Sequence, residues 1–131
     1  MSLEEKSQTK FSVADRVKSA NHAWRGIRLL VKTSHNARGE MFFGLLAIYL
    51  GYILEISSAE WLVLVLTIGL VIVAEAFNAA IEVDIDLTSP EYHPYARDTK
   101  DIAAGAVLLT IITAVIIALF IFVPKILPNF I

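Results

Sequence analysis

Four polar side chains recur along one apolar stretch, at spacings that place them on one side of a helix. They are Glu75, Asn78, Glu82 and Asp86, at i, i+3, i+7 and i+11. At about 100° per residue these positions form one narrow stripe. Ionisable groups in an apolar segment are costly and usually mark a functional site. Three carboxylates in one site need a proton or a cation to coexist. A divalent metal whose shell is completed by substrate phosphates meets that need.

The stripe has two other interpretations. Asn78 and the carboxylates could form polar contacts between helices, with no chemistry attached. The stripe around Glu75 could also carry ions or protons, but a carrier leaves unexplained the pair Lys100 and Asp101, directly before a later apolar run. Lys100 could neutralise a phosphate and Asp101 could hold a metal or orient a group, although charged residues also commonly flank membrane spans.

Three long apolar runs must position these residues in a chain of 131 residues, 56% of them hydrophobic. The runs predict membrane-spanning helices at about 41–57, 60–87 and 100–124. Runs of this length suffice to cross a hydrocarbon core. Ser57 and Glu60 match a capping box, so the second span is expected to start there after a tight turn. Pro124 is expected to end the third span.

Ahead of the spans, residues from about 11 to 38 predict an amphipathic helix, because apolar residues recur mostly three and four apart. Eight of the eleven Lys and Arg residues precede residue 40. The helix is therefore expected to lie in the membrane interface beside anionic lipids, rather than to bind nucleic acid. Residues 1–10 are polar and expected to be mobile, and residues 11–131 are predicted to form a single domain.

The same charges predict the orientation in the membrane. The 55–60 turn has no Lys or Arg, whereas the 87–101 loop contains Arg97 and Lys100. We therefore expect the N-terminus and this loop in the cytoplasm. The sequence predicts an all-α membrane protein with three transmembrane helices and an N-terminal amphipathic interfacial helix. A soluble helical bundle is the rival fold, disfavoured because residues 102–123 carry no charge.

These motifs resemble the prokaryotic diacylglycerol kinase and undecaprenol kinase family. The run from Glu75 through Asn78 to Glu82, followed by Asp86, is similar to its signature, and residues 91–94 and 100–107 to its second block. Residues 23–28 and 35–38 resemble its surface-helix region. The resemblance implies an ATP- and Mg²⁺-dependent lipid kinase in the bacterial inner membrane. It also implies that the enzyme acts at the cytoplasmic interface, as a homotrimer whose active sites are shared between protomers.

The resemblance also implies roles for individual residues. Glu75 resembles the catalytic residue that activates the lipid hydroxyl, and Glu82 resembles a metal ligand. The residues expected to bind nucleotide or substrate are Asn78, Asp86, Lys100, Asp101, Arg38 and Arg28. The lipid is diacylglycerol, giving phosphatidic acid, or undecaprenol, giving undecaprenyl phosphate. The residues of the second block look closer to those of the undecaprenol kinase branch, but one sequence leaves both lipid substrates open.

One departure from the family pattern concerns the metal. Where the family commonly places a second metal-binding Glu, this chain has Ser34, whose neutral hydroxyl is a poorer Mg²⁺ ligand than a carboxylate. The metal could then depend on ATP and Glu82, or Glu40 could supply the missing carboxylate. The alternative function is therefore a catalytically altered member of the family, which acts as a membrane module that binds nucleotide or lipid.

Overall fold

A computed structural model describes residues 1–7 and 10–129. Within these ranges the chain forms five α-helices and no strand, which confirms the all-α prediction. The helices are α1 (Leu3–Ser7), α2 (Val13–Thr33), α3 (His35–Ile53), α4 (Ser58–Thr88) and α5 (Pro94–Ile126). They divide into two units, Met1–Thr33 and Ser34–Ile131. The prediction of a mobile N-terminus includes residues 8 and 9, which lie outside the described ranges.

The first unit contains α1 and α2. Along α2 the apolar side chains of Val17, Trp24 and Ile27 are exposed. The helix ends at Thr33, earlier than the predicted 38, because Ser34 adopts an extended backbone conformation with φ −97° and ψ 116°. The residues from His35 onward belong to α3 instead.

In the second unit, α4 packs against both α3 and α5. The hydrophobic core lies where the α3–α4 turn meets the end of α5, and its buried members are Ile56, Leu64, Ile121 and Phe122. The side chains of Glu60 and Lys125 form an ion pair of 3.3 Å at the same end. The start of α3 and the C-terminal half of α4 lie away from this core.

A capping box starts α4, as predicted. The Ser57 side chain accepts a hydrogen bond from the Glu60 backbone N–H, and the Glu60 carboxylate accepts one from the Ser57 N–H. The preceding turn includes Glu55, whose φ is 51°. Gly51 makes the turn compact, because a Cβ at this position would lie 3.0 Å from the ring of Trp61.

Two of the described helices, α4 and α5, are long and apolar enough to cross a membrane. The start of α5 is fixed by His93, whose Nδ1 accepts a hydrogen bond from the Tyr95 N–H, and by proline at the first helical position. The prediction that Pro124 ends this helix is wrong. Proline removes only one backbone donor, and Leu127 still bonds to the Val123 carbonyl at 2.8 Å, so α5 continues to Ile126.

Candidate functional site

Ser34 connects the start of α3 to the middle of α4. Its Oγ accepts a hydrogen bond of 3.0 Å from the Ala37 N–H, and its hydroxyl donates to Glu75 Oε1 at 3.0 Å. Serine is a favoured N-cap because its short side chain can accept from the first turn of the helix. The local sequence therefore fixes this hydroxyl at a helix end, and packing of the helix directs it at Glu75.

Close packing of α3 on α4 makes this contact possible. Ala37 is completely buried, and a Cβ on Gly44 would lie 3.1 Å from Ile68 Cγ2. Ser34, Ala37 and Gly44 share one face of α3 because residues three or four apart are neighbours on a helix. Small residues on that face let the two backbones approach closely.

Glu75 and Asn78 are the buried polar residues of the stripe. Glu75 is 3% exposed and Asn78 is 5% exposed. The second carboxylate oxygen, Glu75 Oε2, and the amide oxygen, Asn78 Oδ1, are both buried without a hydrogen-bond partner among the described residues. A buried polar atom without a partner costs about 1–3 kcal/mol. Two such oxygens one helical turn apart are therefore suited to receive hydrogen-bond donors from a bound molecule.

Glu40 adds a second carboxylate near Glu75. It follows Ser34 and Ala37 at a spacing of three, on the same face of α3, and its Oε2 is buried without a partner in the described part of the chain. Burial, and then the negative charge of Glu75, raise the pKa of Glu40 to about 7. From the sequence, Glu40 was predicted only as a replacement metal ligand. Its spacing from Ser34 was the signal that could have placed it beside Glu75.

A second group of charges lies at the end of α4 and the start of α5. Lys100 Nζ is 2.6 Å from Asp86 Oδ1, and both side chains remain accessible to solvent. An open cavity of about 300 Å³ adjoins this pair, with Asp101 and Arg97 among its lining residues. The cavity therefore presents charges of both signs from two helices.

The remaining predicted residues are exposed, and the charge of Glu82 acts on Lys100 of the second group. Glu82 is exposed on α4, about 10 Å of helix rise from Glu75. Arg38 is exposed in the first turn of α3, with Nη2 2.6 Å from His35 Nδ1. Arg28 is exposed on α2, in the first unit. Among the residues that the structure describes, no three His, Cys, Asp or Glu side chains form a metal-binding group.

The chain is similar to known proteins over most of its length. The pattern of the prokaryotic diacylglycerol kinase family matches residues 21–122. The undecaprenol kinase of Bacillus subtilis is 38% identical over 108 residues, covering 82% of this chain and 88% of that protein. The diacylglycerol kinase of Escherichia coli K12 is 33% identical over 100 residues, covering 76% and 82%. A diacylglycerol kinase of Synechocystis is 38% identical over 110 residues, covering 83% of this chain and 63% of the relative.

Proposed function

The chain belongs to the prokaryotic diacylglycerol kinase family, and we propose that it transfers the γ-phosphate of ATP to the hydroxyl of a membrane lipid. Glu75 is the observation that carries this proposal. It is a buried carboxylate with one oxygen held by Ser34 and the other without a hydrogen-bond partner among the described residues. Such a group is poised to accept a proton from a hydroxyl bound beside it.

The proposed reaction uses Glu75 as the general base. The lipid oxygen attacks the γ-phosphorus while its proton passes to Glu75 Oε2. The bond from this phosphorus to the β–γ bridging oxygen breaks, and its electron pair leaves with ADP. Asn78 lies one turn along the same face and orients the reacting lipid. The protein otherwise acts by positioning and charge stabilisation, which is the main requirement of phosphoryl transfer.

Lys100 and Asp86 supply the nucleotide end of the proposed site. The pair is partly exposed, and exposed ion pairs contribute only about 0–1 kcal/mol. Lys100 can therefore exchange Asp86 for a phosphate oxygen at little cost. Asp101 lines the adjoining cavity, and Arg38 and Arg28 are proposed as further contacts to nucleotide or substrate.

Magnesium fits Glu82 better than Ser34. The Ser34 hydroxyl donates to Glu75 and accepts from the Ala37 N–H, whereas Glu82 is an exposed carboxylate on the same stripe as Glu75. Mg²⁺ commonly takes one or two carboxylates together with substrate phosphates and water. We propose that ATP enters with Mg²⁺ and that Glu82 is the carboxylate that holds the metal. When bound, the ion would neutralise charge on the phosphates.

The finer topology is also a proposal. We propose three membrane spans, the first formed by residues 41–57 and the others by α4 and α5, with α2 in the cytoplasmic interface beside anionic lipids of a bacterial inner membrane. Residues 41–57 form an apolar run of about the shortest length that crosses a hydrocarbon core. Exposed apolar side chains on α2 and the basic residues before residue 40 support the interfacial position and a cytoplasmic N-terminus. The homotrimer rests on the family resemblance alone.

The lipid is the part of the proposal that similarity leaves open. Two relatives at the same 38% identity are named for different substrates, undecaprenol and diacylglycerol. The deciding experiment offers both lipids in parallel to the purified protein in mixed micelles with ATP and Mg²⁺, and measures transfer of γ-phosphate.

Glu75→Gln tests the mechanism in the same assay. Removal of a general base lowers turnover by about 10²–10⁴-fold. The matched control is Glu55→Gln, an exposed carboxylate in the turn at the other end of α3, which is expected to leave turnover unchanged. Transfer that survives Glu75→Gln would reject Glu75 as the base. No transfer to either lipid by folded protein would favour the second candidate, a nucleotide- or lipid-binding module, for which Ser34 at the usual metal position is the supporting observation.

A further inference from the structure

We propose that Ser34 is a positioning residue for Glu75, and that it replaces a metal-binding function at this position with a hydrogen bond to the general base. The hydroxyl holds Glu75 Oε1, which leaves Oε2 as the oxygen that receives the proton of the lipid hydroxyl. This inference rests on the proposed kinase function and adds to it a residue that fixes the geometry of the base.

The Ser34 hydroxyl makes hydrogen bonds within the protein both as a donor and as an acceptor. A serine hydroxyl has one hydrogen to donate and two lone pairs. The hydrogen is committed to Glu75 Oε1 at 3.0 Å, and one lone pair is committed to the Ala37 N–H at 3.0 Å. The side chain is therefore occupied from both sides by the protein itself, and its role does not depend on a metal.

The contact between Ser34 and Glu75 is held in place by the start of α3. Ser34 is the N-cap of α3, and its capping bond fixes the side chain relative to the helix. Ala37, one turn further, is completely buried and holds that end of α3 in place. A glutamate side chain has three rotatable bonds, so a fixed donor on one oxygen also fixes where the other oxygen points. Precise placement of a reacting group is worth large factors in rate.

The carboxylates nearest to Glu75 along the neighbouring helix and its own helix are Glu40 of α3 and Glu82 of α4. From α3, Glu40 brings a second carboxylate. The contacts of Asp86 with Lys100 and of Glu60 with Lys125 set an antiparallel register of α4 and α5. In this register Thr110 and Ile111, which do not titrate, are the residues of α5 level with Glu75 along the helix axis. On α4 the next ionisable group is Glu82, about 10 Å along the helix. The Ser34 hydroxyl therefore donates to a carboxylate that lies near a second carboxylate.

Four variants separate positioning from helix capping. Ser34→Thr keeps the hydroxyl and the cap, whereas Ser34→Ala removes both. Ser34→Asp keeps a good cap but removes the donor and adds a negative charge beside Glu75. The matched control is Ser57→Ala, which removes the equivalent cap of α4 at the opposite end of the bundle without touching the site.

We expect Ser34→Ala to lower kcat by about ten- to one-hundred-fold, the range that corresponds to a lost hydrogen bond to a charged group, with KM for ATP and lipid nearly unchanged. Ser34→Thr is expected to restore most of the rate. Ser34→Asp is expected to be no more active than Ser34→Ala, and Ser57→Ala to retain wild-type turnover.

Two results would overturn the inference while the proposed function stands. The first is wild-type turnover in Ser34→Ala when Glu75→Gln is inactive. The second is a rise in turnover and in apparent Mg²⁺ affinity when Ser34 is replaced by Asp or Glu, which would identify a metal position that lacks its carboxylate. A folded wild-type protein that transfers phosphate to neither lipid would instead reject the proposed function and this inference together.

Discussion

The half-buried carboxyl of Glu40 predicts a pH-dependent stability that one substitution should remove. Glu40 precedes the predicted first span, and burial together with the charge of Glu75 raises its pKa from 4.5 to about 7. The unfolded chain releases this proton near pH 4.5, whereas the folded protein keeps it up to about pH 7. The folded state therefore binds more protons between these values, and its stability falls as the pH rises through this window.

The size of the effect follows from the pKa. At 1.36 kcal/mol per pH unit, the shift corresponds to a ceiling of about 3.4 kcal/mol, of which about 2.5 kcal/mol would appear between pH 5 and pH 8. Solvent reaches part of this side chain, which reduces the expected change to about 1–2 kcal/mol. Glu40→Gln cannot titrate, so the variant should gain that amount relative to wild type between pH 5 and pH 8.

Unfolding of the purified protein in detergent micelles, followed by tryptophan fluorescence at both pH values, measures this difference. The control is Glu55→Gln, which removes an exposed carboxylate of the same chain and should show no pH-dependent gain. The reasoning fails if wild type and Glu40→Gln differ by the same free energy at pH 5 and pH 8. Glu75→Gln should also weaken the pH dependence of the free energy of unfolding, because the charge of Glu75 is the second cause of the raised pKa of Glu40.

Two further substitutions test the packing and the nucleotide end. Gly51→Ala should lower the free energy of unfolding by about 1–3 kcal/mol, because the new Cβ would lie 3.0 Å from the Trp61 ring. Gly69→Ala, where nothing lies within 4 Å, should be neutral or stabilising by about 0.5–1 kcal/mol; equal effects would contradict the close approach. Lys100→Met should raise the KM for ATP about tenfold and leave the free energy of unfolding nearly unchanged, because its pair with Asp86 is exposed. An unchanged KM would remove Lys100 from the nucleotide site.

Features encoded within one turn of the chain were predictable from the sequence. The capping box of Ser57 and Glu60 needs only residues three apart, and the structure forms it. The break at Ser34 was missed, although the apolar period of the preceding helix ends at Val31 and serine is a favoured N-cap residue. The end of α5 was placed too early because one proline was expected to stop a helix whose following residues still find carbonyl partners.

The polar stripe on α4 shows where periodicity stops being informative. Spacing gives the angle of each residue around the helix axis, and it places Glu75 and Glu82 on one side. It does not give burial, which depends on the neighbouring helices. Because the N-cap Ser34 and the start of α3 cover Glu75, that carboxylate is buried and hydrogen-bonded, whereas Glu82, two turns further along, is exposed. Two residues of the same type on one face of α4 therefore differ in the chemistry that they can support. Glu75 offers a buried oxygen suited to accept a proton, and Glu82 offers an exposed carboxylate suited to a hydrated metal.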